Sequence, residues 1–199
     1  MEERPGRALT RVTIAQMLMN NFEKLPDIDQ KLFLYGPAYL AGNGGLAGLV
    51  SNSLYRRALN IKQAGVTSSV PMAVMPFLTT YALYNAVVTN PLLNGDLNCP
   101  SCVLIRGALV GVVGAGLYPI LLALPVNIAI ASRYNTAPLP EKGNVLRYYV
   151  ELSRPILRKM RAVLVLQALF GTYLSSRNFE SYTTLAKITF DSGREELKD

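Results

Sequence analysis

Polar and apolar residues in this chain are segregated over whole helices rather than over single turns. Four stretches carry no Asp, Glu, Lys or Arg: 32–55, 63–95, 107–132 and 162–176, of 24, 33, 26 and 15 residues. A helix exposed to water needs polar residues on its outward face about every third or fourth position, so stretches of this length belong in hydrocarbon. A core about 30 Å thick takes roughly 20 helical residues at about 1.5 Å each. The pattern predicts an all-α, polytopic membrane helical bundle with about four transmembrane helices, at 32–55, 67–88, 107–132 and 156–174. Pro71, Pro76 and Pro91 shorten the second crossing: Pro71 stands near its first turn, Pro76 predicts a kink, and 89–106 reads as a loop. In the third span Pro119 and Pro125 predict a bend. The fourth reaches membrane length only if Arg158, Lys159 and Arg161 snorkel to the headgroups, the alternative being an interfacial helix.

This divides the chain into an N-terminal amphipathic segment (1–31), a four-helix transmembrane domain (32–176) and a polar C-terminal tail (177–199), loosely ordered at its end. In the first segment Ile14, Met17, Leu18, Phe22 and Leu25 recur at helical spacing, predicting an amphipathic helix over about 10–24 that lies on the membrane or docks on a partner. No apolar run precedes the first span and acids stand among the early residues, so neither a cleaved secretory signal nor a typical transit peptide is expected. Residues 144–160 alternate apolar and basic, with Pro155 interrupting, and read as an interfacial segment. Within the spans, small residues at four-residue spacing (Gly44 and Gly48; Gly107, Gly111 and Ala115) predict helix-packing seams, internal or against a client. Packing explains the run Gly42 to Gly45 better than a phosphate loop, which needs a preceding strand and a following Lys-Ser/Thr.

Composition narrows the chemistry. Charged residues make up 17% of the chain, against about 25% in an ordinary soluble domain. With no histidine, two cysteines and no charge inside the uncharged stretches, there is no material for a metal centre, a Ser-His-Asp triad or a proton relay. No enzyme activity and no cofactor are expected. The net charge of +7 does not indicate nucleic acid, because the basic residues cluster where spans end. The connections 56–66 and 133–161 hold ten Lys and Arg against two acids, while the two tails and 89–106 hold ten against eleven. The first set therefore faces the cytosol, or the matrix of a mitochondrion. Its basic cluster (Arg56, Arg57, Arg133, Arg158, Lys159 and Arg161) reads first as interface anchors, with Tyr55 and Tyr134 at headgroup depth. The alternative is a surface for a protein or an anionic lipid such as cardiolipin. Cys99-Pro-Ser-Cys102 lies in the loop between spans two and three, without the βαβ context that makes C-x-x-C catalytic. A small disulfide or free thiols stand ahead of redox chemistry.

Five strings in order resemble the transmembrane protein 126 family: GLVSNSLYRRALN (48–60), VPMAVMPFLTT (70–80), GDLNCPSC (95–102), GLYPILLALPVN (116–127) and SRYNTAPLPEKGN (132–144). The resemblance covers about 47–144, weakens through the fourth span and does not reach the tails. It implies a multi-pass protein of the mitochondrial inner membrane that assists assembly of respiratory complex I. The implied partners are membrane-arm subunits, those of the distal module first, and other assembly factors. It carries over no catalytic residue. A small multi-pass transporter or channel is the alternative, weakened by the absence of ionisable residues in the first three spans.

Four crossings place both termini on the side away from the basic connections. Tags at the two termini should therefore share the same protease accessibility in sealed membranes; opposite accessibility would remove the fourth crossing.

Overall fold

The computed structural model describes Gln16, Leu18 and residues 20–137 and 144–196. Four long helices dominate: α1 (Asp27–Ala58), α2 (Gly65–Tyr84), α3 (Pro100–Leu109, continued as Tyr118–Tyr134) and α4 (Val145–Glu196). No strand occurs among the described residues. Consecutive helices are antiparallel: Gly45 and Gly48 of α1 face Ala73 and Met72 of α2, and Gly107 and Gly111 of α3 face Gly171 and Gln167 of α4. Asp27 and Asp29 in the first turn of α1 and Arg56 and Arg57 in its last complement the helix dipole.

Prolines reshape α2 and α3 without ending them. Helix α2 passes through a π-helical turn (Asn85–Thr89) into a final turn (Asn90–Leu93) that contains Pro91, and α3 contains a π-helical stretch (Val110–Leu117) just before Pro119. A proline ring clashes with the carbonyl four residues earlier and offers it no N–H, and a widened turn relieves both problems. Pro91 thus leaves the Val87 carbonyl without its helical donor, and Arg106 Nη1 donates to that oxygen at 3.2 Å. The expected loop over 89–106 therefore shrinks to the six residues 94–99 between helices.

Two further expectations change in α4. Residues 145–196 form one helix of 52 residues, running through Pro155 and through most of the segment read as a polar tail. Pro155 is exposed, so the Glu151 carbonyl it leaves without a donor faces outward. Beyond residue 177 the helix is held by contacts that local polarity does not reveal. Arg177 pairs with Asp29 of α1 at 2.8 Å, and buried Leu185 packs against Leu18 and Leu25. The described part of the N-terminal segment thus docks on this chain's own α4; Ile14 and Met17 lie outside the described residues. At about 1.5 Å per residue α4 is near 78 Å long, well beyond a membrane of about 45 Å.

The exterior is apolar around the whole bundle. Leu34 and Leu46 on α1, Val70 and Leu78 on α2, Leu109 and Leu121 on α3, and Leu166 and Leu169 on α4 are all exposed. The interior is comparatively polar, with Ser51, Asn52, Ser68, Asn127, Gln167, Ser175 and Asn178 buried. A water-soluble bundle shows the reverse arrangement. Among the described residues two helical stretches, Gly65–Leu93 and Pro100–Tyr134, are long and apolar enough to cross a membrane.

On α3, Gly111 faces the Gln167 backbone of α4, whereas Leu109 is exposed. Gly111→Leu should destabilise the bundle by about 3 kcal/mol, because backbone on both sides cannot retreat from a new side chain, and Leu109→Ile should be nearly silent. Thermal unfolding in micelles distinguishes the two; equal effects would contradict the packing.

Candidate functional site

The small-residue positions expected to form seams all lie inside the bundle. A Cβ on Gly44 would stand 3.0 Å from Thr80 Oγ1 and 3.1 Å from Ala115 Cα, so three helices meet there. Gly48 lies against the Met72 carbonyl and Pro76 Cγ. Gly107 packs on the Gly171 carbonyl, which a Cβ would meet at 2.5 Å, and Gly111 packs on Gln167. Gly171 completes this second seam. Ser175, four residues on from Gly171 and also against Gly107, was the small-residue signal in the sequence that could have found it. The seams are consumed in building the bundle and are not available to a client.

Polar side chains fill the space between the seams. Near the basic end Asn127 Nδ2 donates to Asn52 Oδ1 and to the Ala123 carbonyl, both at 2.8 Å, joining α3 to α1. Asn52 Nδ2 donates onward to Ser68 Oγ at 3.3 Å and Ser69 Oγ at 3.2 Å on α2. Tyr55, expected at headgroup depth, is instead buried and donates to Ser153 Oγ of α4 at 3.0 Å. A bundle interior can use its hydroxyl where hydrocarbon cannot. Toward the opposite end Tyr84 and Ser175 share a hydrogen bond of 3.1 Å, and Asn178 Nδ2 donates to the Tyr84 oxygen at 3.2 Å.

The basic cluster divides into two kinds of residue. Arg56 serves as an internal clamp. Its Nη1 donates to the Ala64 carbonyl at 3.2 Å and to Ser68 Oγ at 3.0 Å, and its Nη2 to the carbonyls of Ile61 at 3.3 Å and Gln63 at 2.8 Å. These bonds hold the α1–α2 turn, in which Asn60 and Ala64 adopt positive φ. Arg57, Arg133, Arg158, Lys159 and Arg161 are exposed. A cavity of about 410 Å³ opens beside the turn, lined by Asn52, Arg56, Arg57, Asn60 and Lys62 among others. It is positively charged and suited to an anionic headgroup. At the other end Cys99 precedes the first turn of α3, both cysteines are exposed and no disulfide joins them. The Cys99 thiol lies below its ordinary value, chiefly because the Cys102 side chain, and then its backbone amide, donate to it. No group of three or more His, Cys, Asp or Glu is placed to hold a metal among the described residues.

An apolar exterior, polar side chains tied together inside and helix contacts made through glycine define a helical membrane-type protein. The chain belongs to the transmembrane protein 126 family, whose pattern, described as Transmembrane protein 126, matches residues 12–192. It is 48% identical to Transmembrane protein 126A of Mus musculus over 167 residues, 84% of this chain and 85% of that protein. Against Transmembrane protein 126A of Homo sapiens the figure is 41% over 180 residues, 90% and 92% of the two chains. It is also 31% identical over 163 residues, 82% and 70% of the two chains, to a Rattus norvegicus protein named Complex I assembly factor TMEM126B, mitochondrial. No solved structure matches.

The division of the cluster has a measurable consequence. Arg56→Gln should lower stability by about 2 kcal/mol, through loss of the charged hydrogen bonds that hold the turn, while Arg57→Gln should change it little. Unfolding of the two purified variants in the same detergent checks this; similar losses would contradict the clamp.

Proposed function

We propose that this chain is a non-enzymatic assembly factor for the membrane arm of mitochondrial respiratory complex I. It works as a multi-pass protein of the inner membrane, holding subunits of the distal module together with other assembly factors. The observation that carries the reading is the relationship, at 31% identity over most of the chain, to a protein named as a mitochondrial complex I assembly factor. The bundle is consistent with such work. Its small-residue seams are closed internally, so it keeps its own shape, and its apolar outer faces remain free for another membrane protein. A subunit awaiting its neighbours exposes polar groups meant for them, and each left unpaired in lipid costs several kcal/mol. A protein that covers those faces prevents aggregation and must later be displaced, so its affinity is intermediate and it is absent from the finished complex. The exposed arginines and Lys159 face the matrix in this reading and rest on anionic lipid, cardiolipin included.

Depletion should lower assembled complex I while sparing the other respiratory complexes, as read by native gels after labelling newly made mitochondrial subunits. Replacing Cys99 and Cys102 together by serine should leave assembly largely intact. Normal assembly in depleted cells would overturn the proposal in favour of a transporter; failure of the double-serine variant would point to thiol chemistry.

A further inference from the structure

The interior amides Asn127 and Asn178 each bond through Nδ2 and leave Oδ1 unpaired, but two side-chain amides that line one surface groove have no hydrogen-bond partner at all. Asn43 lies midway along the first predicted span, on the exposed side of α1, and makes no hydrogen bond. Gln167, on the neighbouring α4, is only 5% exposed, and its side chain makes none either. Both line a groove of about 370 Å³ between α1 and α4, whose remaining walls include Leu46, Val50, Leu166 and Phe170.

We infer that this groove is an intramembrane docking site for one transmembrane helix of a client subunit, a helix that presents a hydrogen-bonding side chain at the level of Asn43 and Gln167. The inference rests on the proposed assembly function and adds the surface and the chemistry of its partner. A lipid tail would fill the apolar walls but leave both amides unpaired, which hydrocarbon penalises. A headgroup belongs at the interface and not at mid-span. A second copy placed by a two-fold axis would set groove against groove and leave both unfilled. A single helix from outside is convex and fills a concave site. One Ser, Thr, Asn or Gln on it can satisfy donors and acceptors from both amides, while small or aliphatic neighbours pack on Leu46, Val50 and Phe170.

The test uses the full-length protein in mitochondria whose newly made membrane subunits are radiolabelled. A photo-crosslinking residue at Leu46 or Leu166 should capture a labelled subunit, and the same residue at Leu109 or Leu121 of α3 should not. Asn43→Leu combined with Gln167→Leu should lower the co-purified labelled subunit about tenfold, the size expected from two interhelical hydrogen bonds. The unfolding midpoint should stay unchanged, and Asn43→Gln should retain capture. Undiminished capture by the double variant, or crosslinking from α3 in place of the groove, would overturn the groove and leave the assembly function standing. Crosslinks from the groove only to lipid or to a second copy would overturn it as well. A wild-type protein that captures no membrane subunit would overturn both.

Discussion

Backbone contact between helices is the constraint on which the rest of this bundle depends. In lipid, apolar side chains gain little by leaving one hydrocarbon surface for another, so helices associate by packing closely and by hydrogen bonding. Gly48 against the Met72 carbonyl and Gly107 against the Gly171 carbonyl are two such contacts. The first has a local cause. Met72 lies four residues before Pro76, which has no N–H to give it, so its carbonyl lacks the usual helical donor. A glycine Cα–H can approach where a side chain would be excluded. Pro76 and Gly48 therefore act as a pair, one freeing an oxygen and the other making room to reach it.

That close spacing brings short polar side chains within bonding distance of one another. Asn127, Asn52 and Ser68 connect three helices only because α1, α2 and α3 stand close together, and the Tyr84, Ser175 and Asn178 group repeats the arrangement between α2 and α4. Such bonds are modest in strength individually, but leaving one of these groups unpaired in hydrocarbon is expensive, so they fix register and helix order. Helix α4 then joins the two ends of the molecule. It contributes Tyr149 and Leu152 to the cluster around Ile61 and Ile128 at the basic end, and Leu185 to the cluster with Leu18 and Leu25 at the other.

The functional picture follows from the difference between a finished interior and an unfinished exterior. The glycine seams are closed within the chain, and Asn52, Asn127 and Asn178 all donate to neighbouring groups there, so the bundle holds its own shape. Polarity in the α1–α4 groove at mid-span, from exposed Asn43 and buried Gln167, stands out because the rest of the lining is apolar. The charged ends divide similarly. Arg56 is absorbed by the α1–α2 turn, whereas Arg57, Arg133 and the α4 basic residues remain outward.

Sequence alone determined the class of fold, the apolar stretches and the charge asymmetry, because the cost of charge in hydrocarbon acts residue by residue and is visible without knowing any contact. It also identified Gly44, Gly48, Gly107, Gly111 and Ala115 as packing residues, since four-residue spacing places them on common helix faces. It could not separate Arg56 from Arg57, turn Tyr55 inward, or foresee that α4 continues through Pro155 and past residue 177. Each of those depends on what the folded chain places nearby: four acceptors in and beside the α1–α2 turn for Arg56, Ser153 of α4 for Tyr55, Leu18 and Leu25 for Leu185. Pairing between distant segments has no local signature, so only the packed structure decided which polar groups are bonded inside and which, like Asn43, stay exposed.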